Sequence, residues 1–492
     1  MPKALSKPIQ SPPSSTLLRD LLIAAGLFIL AILVRLPVMA QGLWYDELFT
    51  LLNFIRQSWG EIVIGRYSPN NHILFTLLAK LFMPASGDIT DIAMAIRMPS
   101  LLAGSAVAVA LAWPLRTKRP VLALLIGVIA ATHPWLISFS GWARGYALLM
   151  FLVVLATAFL PARKRLVNWA YAICLTAALY TQPLALVLVP AHGLAMLLCR
   201  KKLLVTWLRS ICVAGVMSFC LYLPLFATAR EYFSQPGKPM VTYGQFVEQS
   251  IRFVQAGDNA TGLVYVITPL LILVAGAIMA WRTDELRPWI ISFGGASILT
   301  ILVPLVLPTA GEVRAMLWLI PLYCIGAGAL VDGCFAARPV TSGDSDKTPT
   351  PPPRRGLVPW LGAVAGVVLV AALGMRDYVI WRIPAQPIPE AINLARQEAG
   401  EKGTVIGVYM ASREAAATYG GLDAYAYKPA SLQLAEEKAT GPVVAVVFYD
   451  DLIRRKEPEL WEELQKRYTL VQRLPGRISS AAVYRREGRS HR

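Results

Sequence analysis

The apolar positions of this chain form long, nearly continuous runs separated by short polar loops. A run of roughly 20 apolar residues crosses about 30 Å of hydrocarbon as a helix. The pattern predicts eleven membrane-spanning helices, at 17–38, 92–114, 120–138, 143–160, 166–181, 184–199, 203–226, 261–281, 288–306, 313–335 and 357–375. We therefore expect a polytopic α-helical membrane protein. No small-residue cleavage site follows the first run, so we expect that helix to be retained.

The first predicted outer loop, 39–91, is too long for a simple connection. Within it, ELFTLLNFIRQSW and HILFTLLAKLF repeat apolar residues at helical spacing, yet each is too short or too polar to span a bilayer. We expect two amphipathic helices that lie at the membrane interface.

The pattern changes after the last predicted span. GTVIGVYM, GPVVAVVFYDD and SSAAVYRR are typical of strands, and PELWEELQKRY is typical of a helix. The chain thus divides into a transmembrane domain, 1–375, and a soluble C-terminal α/β domain, 376–492.

Charge sets the predicted orientation. The chain is 56% hydrophobic and 16% charged, with a net charge of +17. Residues 376–492 hold 18 Lys and Arg against 15 Asp and Glu, whereas 1–375 hold 29 against 15. Most of this excess follows the even-numbered spans, as in RTKRP, PARKR and CRKK, which is typical of cytoplasmic loops. The distribution argues against a nucleic-acid partner. It predicts a multi-pass protein of the plasma (inner) membrane with a cytoplasmic N-terminus and an extracytoplasmic C-terminal domain.

An acidic pair, Asp46 and Glu47, lies just beyond the first span. An aspartate at a wet interface is ionised at neutral pH, so Asp46 would accept a proton from, or orient, an attacking hydroxyl. The alternative is that Asp46 caps a helix over 47–58, a common role for aspartate.

Several arginines are predicted near the outer face, among them Arg144 and Arg314 at the starts of inward-running spans. A charge close to hydrocarbon is costly unless it faces a cavity or a partner, and a guanidinium suits phosphate. The alternative is that these arginines snorkel to lipid headgroups or pair with carboxylates such as Glu312.

Histidine is scarce, and His72 and His133 are both expected near Asp46. Together with the carboxylates they would offer ligands to a divalent cation, although no ligand-rich spacing supports one, and ordinary hydrogen bonding is the alternative. No metal ligand is therefore assigned. The chain has no P-loop and no Rossmann glycine fingerprint, so a soluble nucleotide donor has no evident site.

Five stretches together resemble a known family: LWYDELFT, NNHILFTLLAKLF, AIRMPSLLAG, HPWLISFSGWARGYALLMFL and VRAMLWLIPLY. Their order and spacing resemble the family 39-type glycosyltransferases of the GT-C fold, the bacterial protein O-mannosyltransferase and aminoarabinose transferase relatives. The resemblance covers roughly 17–335. It differs from the family pattern at Ile73, where many relatives carry proline, and at Gln182, where relatives often carry histidine.

The resemblance implies transfer of a sugar from a polyprenyl-phosphate-linked donor to a lipid, glycan or protein hydroxyl on the outer face. Asp46 would be the catalytic carboxylate. The donor pocket would be formed by Glu47, His72, Arg97, Arg144, Tyr146 and Arg314. A single carboxylate base with in-line displacement would invert the anomeric centre.

Two other functions fit a chain of this pattern. A transporter or flippase of a lipid-linked substrate would bind a similar ligand without chemistry, but such proteins place charges midway through spans and show inverted repeats. A structural or assembly subunit would use 376–492 as a docking module. For the C-terminal domain, we favour acceptor recognition or support of a lid over docking.

Overall fold

The computed structural model describes residues 14–234, 244, 263–306, 313–335 and 358–486. A helix occurs at each of the eleven predicted spans. The helices before the C-terminal domain are α1 Ser14–Met39, α2 Tyr45–Thr50, α3 Trp59–Ile64, α4 Ile73–Phe82, α5 Ile89–Ala112, α6 Pro120–Ala131, α7 Pro134–Ser140, α8 Tyr146–Ala158, α9 Arg165–Thr181, α10 Leu188–Cys199, α11 Leu204–Tyr222, α12 Phe226–Ser234, α13 Leu263–Trp281, α14 Arg287–Val306, α15 Leu319–Phe335 and α16 Val358–Arg382.

Within the described part of the chain, four helical stretches are long and apolar enough to cross a membrane: Thr16–Met39, Ile89–Leu115, Lys201–Tyr232 and Met316–Gly333. A fifth is added if α6 and α7, bent by 56° relative to each other, form one span. The predicted helix over 120–138 is therefore two helices. Pro134 begins α7, and proline has no N–H with which to continue α6.

The first outer loop is helical but not as predicted. α2 begins at Tyr45 with Trp44 at its N-cap position, so the alternative in which Asp46 caps a helix over 47–58 is wrong. α2 continues as a π-helical turn, Leu51–Ile55, before α3 begins. Such π turns are rare and often lie at functional sites. The second predicted amphipathic helix is present as α4.

α5 is central to the bundle and contacts α1, α6, α7 and α8. Gly104 lies in α5 against Ser140 and Ala147, where an added Cβ would find no room. This close approach brings the short α7–α8 connection down onto α5, and that connection carries part of the candidate site.

The C-terminal domain is a five-stranded sheet with helices on both faces. Its strands are β1 Thr404–Val408, β2 Ala424–Ala426, β3 Val443–Val447, β4 Tyr468–Leu474 and β5 Ala481–Arg486, in the order β2-β1-β3-β5-β4. Its helices are α17 Ile388–Ala399, α18 Ser412–Tyr419, α19 Pro429–Glu437, α20 Asp450–Lys456 and α21 Pro458–Arg467.

The first three strands of this sheet are parallel, and the last two pairings are antiparallel. The three strands and the helix predicted from the sequence are present. β2 and β4 were not predicted, because β2 has three residues and most of β4 is exposed, so neither shows a buried apolar pattern.

The C-terminal domain packs directly on the first outer loop and on α7. The backbone N–H of Leu43 donates to the Tyr419 hydroxyl at 2.7 Å. Arg477 Nη1 donates to Ser138 Oγ on α7 at 2.8 Å. The loop that carries the acidic pair therefore lies between the helical bundle and the C-terminal domain.

Candidate active site

Glu47 and Arg97 form a buried ion pair between α2 and α5. Arg97 Nε donates to Glu47 Oε1 at 2.8 Å, and Nη2 donates to Oε2 at 2.6 Å. The two side chains are 0% and 1% exposed. This two-bond geometry is the strongest that an arginine and a carboxylate form.

Both partners also bind backbone groups. Arg97 donates to the carbonyl oxygens of Met39, Gln41 and Gly42, at the carboxyl end of α1. Glu47 accepts the N–H of Ala143 at 2.6 Å and that of Trp44 at 3.2 Å. The pair thus ties α1, α2, α5 and the α7–α8 connection together, and it holds α2 in one orientation.

Asp46 points to a different side of α2. Adjacent helical residues point about 100° apart, so a fully buried Glu47 turns Asp46 toward the surface. Asp46 is half-buried. The acidic pair therefore has two environments: Glu47 is enclosed within the protein, and Asp46 lies at its boundary.

Arg144 lies beside the same face of α2 as Asp46. Thr50 is four residues after Asp46, hence on the same face, and its hydroxyl donates to the Asp46 carbonyl at 2.7 Å. The same hydroxyl accepts from Arg144 Nη1 at 2.6 Å. Arg144 also donates to the carbonyl and the side-chain oxygen of Asn70, each at 3.1 Å.

The guanidinium of Arg144 is buried and has no counter-ion among the described residues. Arg144 is 1% exposed, and no carboxylate among the described residues pairs with it. Its Nε has no hydrogen-bond partner in that part of the chain. A buried cation held by neutral groups alone is costly, which makes this position a candidate anion site.

His72 and Tyr146 complete the cluster. The N–H of Gly145 donates to His72 Nδ1 at 2.8 Å, and the His72 ring meets the Tyr146 ring edge-on at 5.0 Å. The Arg144 guanidinium carbon is 5.8 Å from the centre of the Tyr146 ring. His72 from one predicted motif is thus brought together with Arg144 and Tyr146 from another.

Gly145→Ala is expected to destabilise this cluster. An added Cβ would lie 2.7 Å from His72 Nδ1 and 2.8 Å from Thr181 Cγ2, so overpacking should cost about 1–3 kcal/mol. Gly26→Ala, where nothing lies within 4 Å, is the matched control and should melt no lower than the wild type. Thermal unfolding in detergent checks both, and equal midpoints for the two variants would contradict the packing described.

The structure does not bring two other predicted positions into this cluster in the part of the chain that it describes. Arg314 is in a 3₁₀ helix, Val313–Trp318, and its side chain lies outside the described residues. His133 precedes α7 and its ring meets that of Tyr323 at 5.4 Å. Among the described residues, no group of three or more His, Cys, Asp or Glu side chains is placed to hold a metal ion.

The sequence reasoning missed Thr50 and Asn70. Thr50 is four residues after Asp46, so helical spacing alone would have placed it on the same face. Asn70 has no comparable pattern, because its contact with Arg144 depends on how the loop before α4 folds back.

No family model matches the chain, and no curated protein matches it. Among solved structures, it is similar to ArnT from Cupriavidus metallidurans. The structure bound to undecaprenyl phosphate has a TM-score of 0.51 at 13% identity, covering 97% of this chain and 99% of that one. The chain has the fold of ArnT. The apo ArnT structure agrees, with a TM-score of 0.52 at 14% identity over 96% and 98% of the two chains. The resemblance to aminoarabinose transferase relatives of the GT-C fold is thus confirmed for the fold.

Proposed function

We propose that this chain is a membrane glycosyltransferase that moves a sugar from a polyprenyl-phosphate-linked donor to a hydroxyl acceptor on the outer face. A fold by itself does not define an activity, so the site carries the proposal. The observation that carries it is the placement of Arg144, a buried cation with no counter-ion among the described residues, beside the face of α2 that carries the boundary residue Asp46. The ArnT structure with undecaprenyl phosphate supports the class of donor.

Arg144 would bind the donor phosphate. Asn70 accepts from both Nη1 and Nη2, the pair of donors that a phosphate takes through two oxygens. Asn70 is exposed and neutral, so an entering phosphate would displace it without breaking an ion pair. The Nε of Arg144 offers a further donor.

The reaction would be an in-line displacement at the anomeric carbon. The acceptor hydroxyl oxygen forms the new bond to that carbon, and the bond to the phosphate oxygen breaks. Asp46 takes the hydroxyl proton, and polyprenyl phosphate leaves with its negative charge stabilised by Arg144. A single displacement inverts the configuration at the anomeric carbon.

The remaining predicted residues would have supporting roles. Glu47 and Arg97 would position α2, since their polar atoms already bind one another and the backbone. His72 and Tyr146 would form the wall beside Arg144, and Arg314 would be a second phosphate contact.

The N-terminus would be cytoplasmic and the C-terminal domain extracytoplasmic.

Arg144→Ala is expected to weaken binding of undecaprenyl phosphate by about 10- to 100-fold, because hydrogen bonds to a charged group contribute roughly 1.5–3 kcal/mol. Arg144→Lys should recover only part of this, since lysine cannot form the two-bond contact. Arg66→Ala, an exposed arginine of the same loop, is the control and should bind as the wild type does. Microscale thermophoresis in detergent measures all three. Wild-type affinity in Arg144→Ala would remove this residue from the donor site.

The activity itself is tested by mass spectrometry of glycans and lipid intermediates in cells with and without the protein. The proposal predicts that one glycosidic linkage disappears and one polyprenyl-linked sugar accumulates on deletion. Reconstituted proteoliposomes distinguish the alternative. Net translocation of a lipid-linked substrate with no sugar transfer would establish a flippase and reject the transferase.

A further inference from the structure

A tyrosine follows the carboxyl end of each of the three parallel strands of the C-terminal domain, within two residues. Tyr409 directly follows β1, Tyr427 directly follows β2, and Tyr449 lies two residues after β3. Because the order is β2-β1-β3, these ends lie side by side at one edge of the sheet. In open parallel sheets ligands bind outside the carboxyl ends of the strands. We call these three tyrosines, together with Tyr425 within β2, the tyrosine edge.

The tyrosine edge faces α2. Gln386 Oε1 accepts the N–H of Tyr45 at 3.1 Å, and its Nε2 donates to the carbonyl of Phe448, at the end of β3, at 2.7 Å. The rings of Tyr45 and Tyr449 meet edge-on at 5.8 Å. Tyr45 is the residue before Asp46, so one amide side chain joins the end of β3 to the turn that carries the catalytic candidate.

The electrostatic surroundings of the Tyr45 hydroxyl also place the tyrosine edge beside α2. Burial, together with the neighbouring Glu414 and Asp46 carboxylates, raises the pKa of Tyr45 to about 12. The hydroxyls of Tyr427 and Tyr409 act in the same direction. Tyrosines from two different strand ends are therefore close to the first turn of α2.

Part of this edge is open to solvent. Tyr425 and Tyr427 are 50% and 37% exposed, and their ring centres are 6.0 Å apart in an edge-on arrangement. Beside them, Tyr409 and Ala411 adopt φ of 69° and 71°, the two non-glycine residues with positive φ in the described part of the chain. Such backbone conformations are held by the surrounding structure and cluster at binding sites.

We propose that the tyrosine edge binds the carbohydrate of the acceptor and presents one of its hydroxyls to Asp46. The flat ring faces suit the C–H faces of a sugar, while the tyrosine hydroxyls and Glu414 offer partners to its hydroxyls. A peptide added as a strand is disfavoured, because β2, the edge strand on this side, has only three residues. The inference rests on the proposed function, which it extends from the donor to the acceptor.

The test is calorimetric titration of the full-length protein in detergent, saturated with undecaprenyl phosphate so that the donor site is filled. The probes are methyl glycosides and disaccharides of glucose, mannose and N-acetylglucosamine. At least one should bind, and Tyr425→Ala and Tyr427→Ala should each weaken it about 3- to 10-fold, as expected for loss of an aromatic contact. Leu470→Ala, 45% exposed on β4 at the opposite edge of the sheet, is the matched control and should bind normally.

The proposal is overturned if none of these sugars binds, or if both tyrosine variants bind them as tightly as the wild type does. Binding of a serine- and threonine-rich peptide in place of sugars, lost in Tyr427→Ala, would assign the edge to a protein acceptor and also overturn it. Affinity for undecaprenyl phosphate should be unchanged in every variant. A wild-type protein that fails to bind this lipid counts against the proposed donor site, whereas sugar titrations without the lipid still report on the tyrosine edge.

Discussion

Asp46→Asn is expected to lower the rate of sugar transfer by about 10²- to 10⁴-fold, the contribution that a positioned general base makes. Asparagine keeps the shape of the side chain but cannot take the proton of the acceptor hydroxyl. Asp46 lies at the protein boundary and asparagine has the same size, so the variant should fold and should bind undecaprenyl phosphate as the wild type does. Single-turnover transfer from a purified donor measures the chemical step.

Asp91→Asn is the matched control, because Asp91 is an exposed carboxylate in the first turn of α5, within the same outer loop. Its transfer rate should equal that of the wild type. If Asp46→Asn also turned over at the wild-type rate, Asp46 would not be the base. A large loss in a folded Glu47→Gln protein, with Asp46→Asn active, would exchange the roles of the two carboxylates.

Arg97→Leu is expected to be the most destabilising single change in the site. Removing one partner of a buried ion pair leaves the other charge without compensation, which costs about 3–5 kcal/mol. Here the change would leave Glu47 unpaired and would also remove the donors to Met39, Gln41 and Gly42. We expect a large fall in the midpoint of thermal unfolding, or loss of folded protein in the membrane fraction.

The control for this prediction is Arg66→Leu. Arg66 pairs with Glu231 at 3.0 Å, but the two side chains are 72% and 59% exposed, so the pair should contribute only about 0–1 kcal/mol. Fluorescence-detected size-exclusion chromatography after heating compares the two variants. Equal midpoints for Arg97→Leu and Arg66→Leu would show that the buried pair does not hold α2 in place.

The helices of the bundle were predictable because the apolar run that forms each of them is a local property of the sequence. A helix occurs at every predicted position, and four or five of the described stretches are long and apolar enough to cross a membrane. The departures are equally local in cause: Pro134 divides one predicted span, and a π turn over Leu51–Ile55 interrupts a predicted amphipathic helix. Their positions depend on backbone hydrogen bonding, which the apolar pattern does not encode.

The tyrosine edge, in contrast to the helices, was not predictable from the sequence. GTVIGVYM and VVAVVFYDD predict strands, but which strands are neighbours depends on long-range pairing. β2 is too short to be recognised from its pattern. Without knowledge of the strand order β2-β1-β3, the sequence does not predict that the tyrosines after the strands are neighbours or that they lie beside Tyr45.

The sequence by itself determined the helical membrane architecture, the C-terminal α/β domain and the set of ionisable residues from which a site is built. Only the tertiary structure gave the two residues of the acidic pair different environments. Glu47 became a structural group because Arg97, fifty positions away, neutralises it, and Asp46 was left at the boundary because a helix turns about 100° per residue. Arg144 became an anion-site candidate because its neighbours Thr50 and Asn70 are neutral. Such assignments depend on contacts between distant segments, which local patterns of apolar and charged residues do not specify.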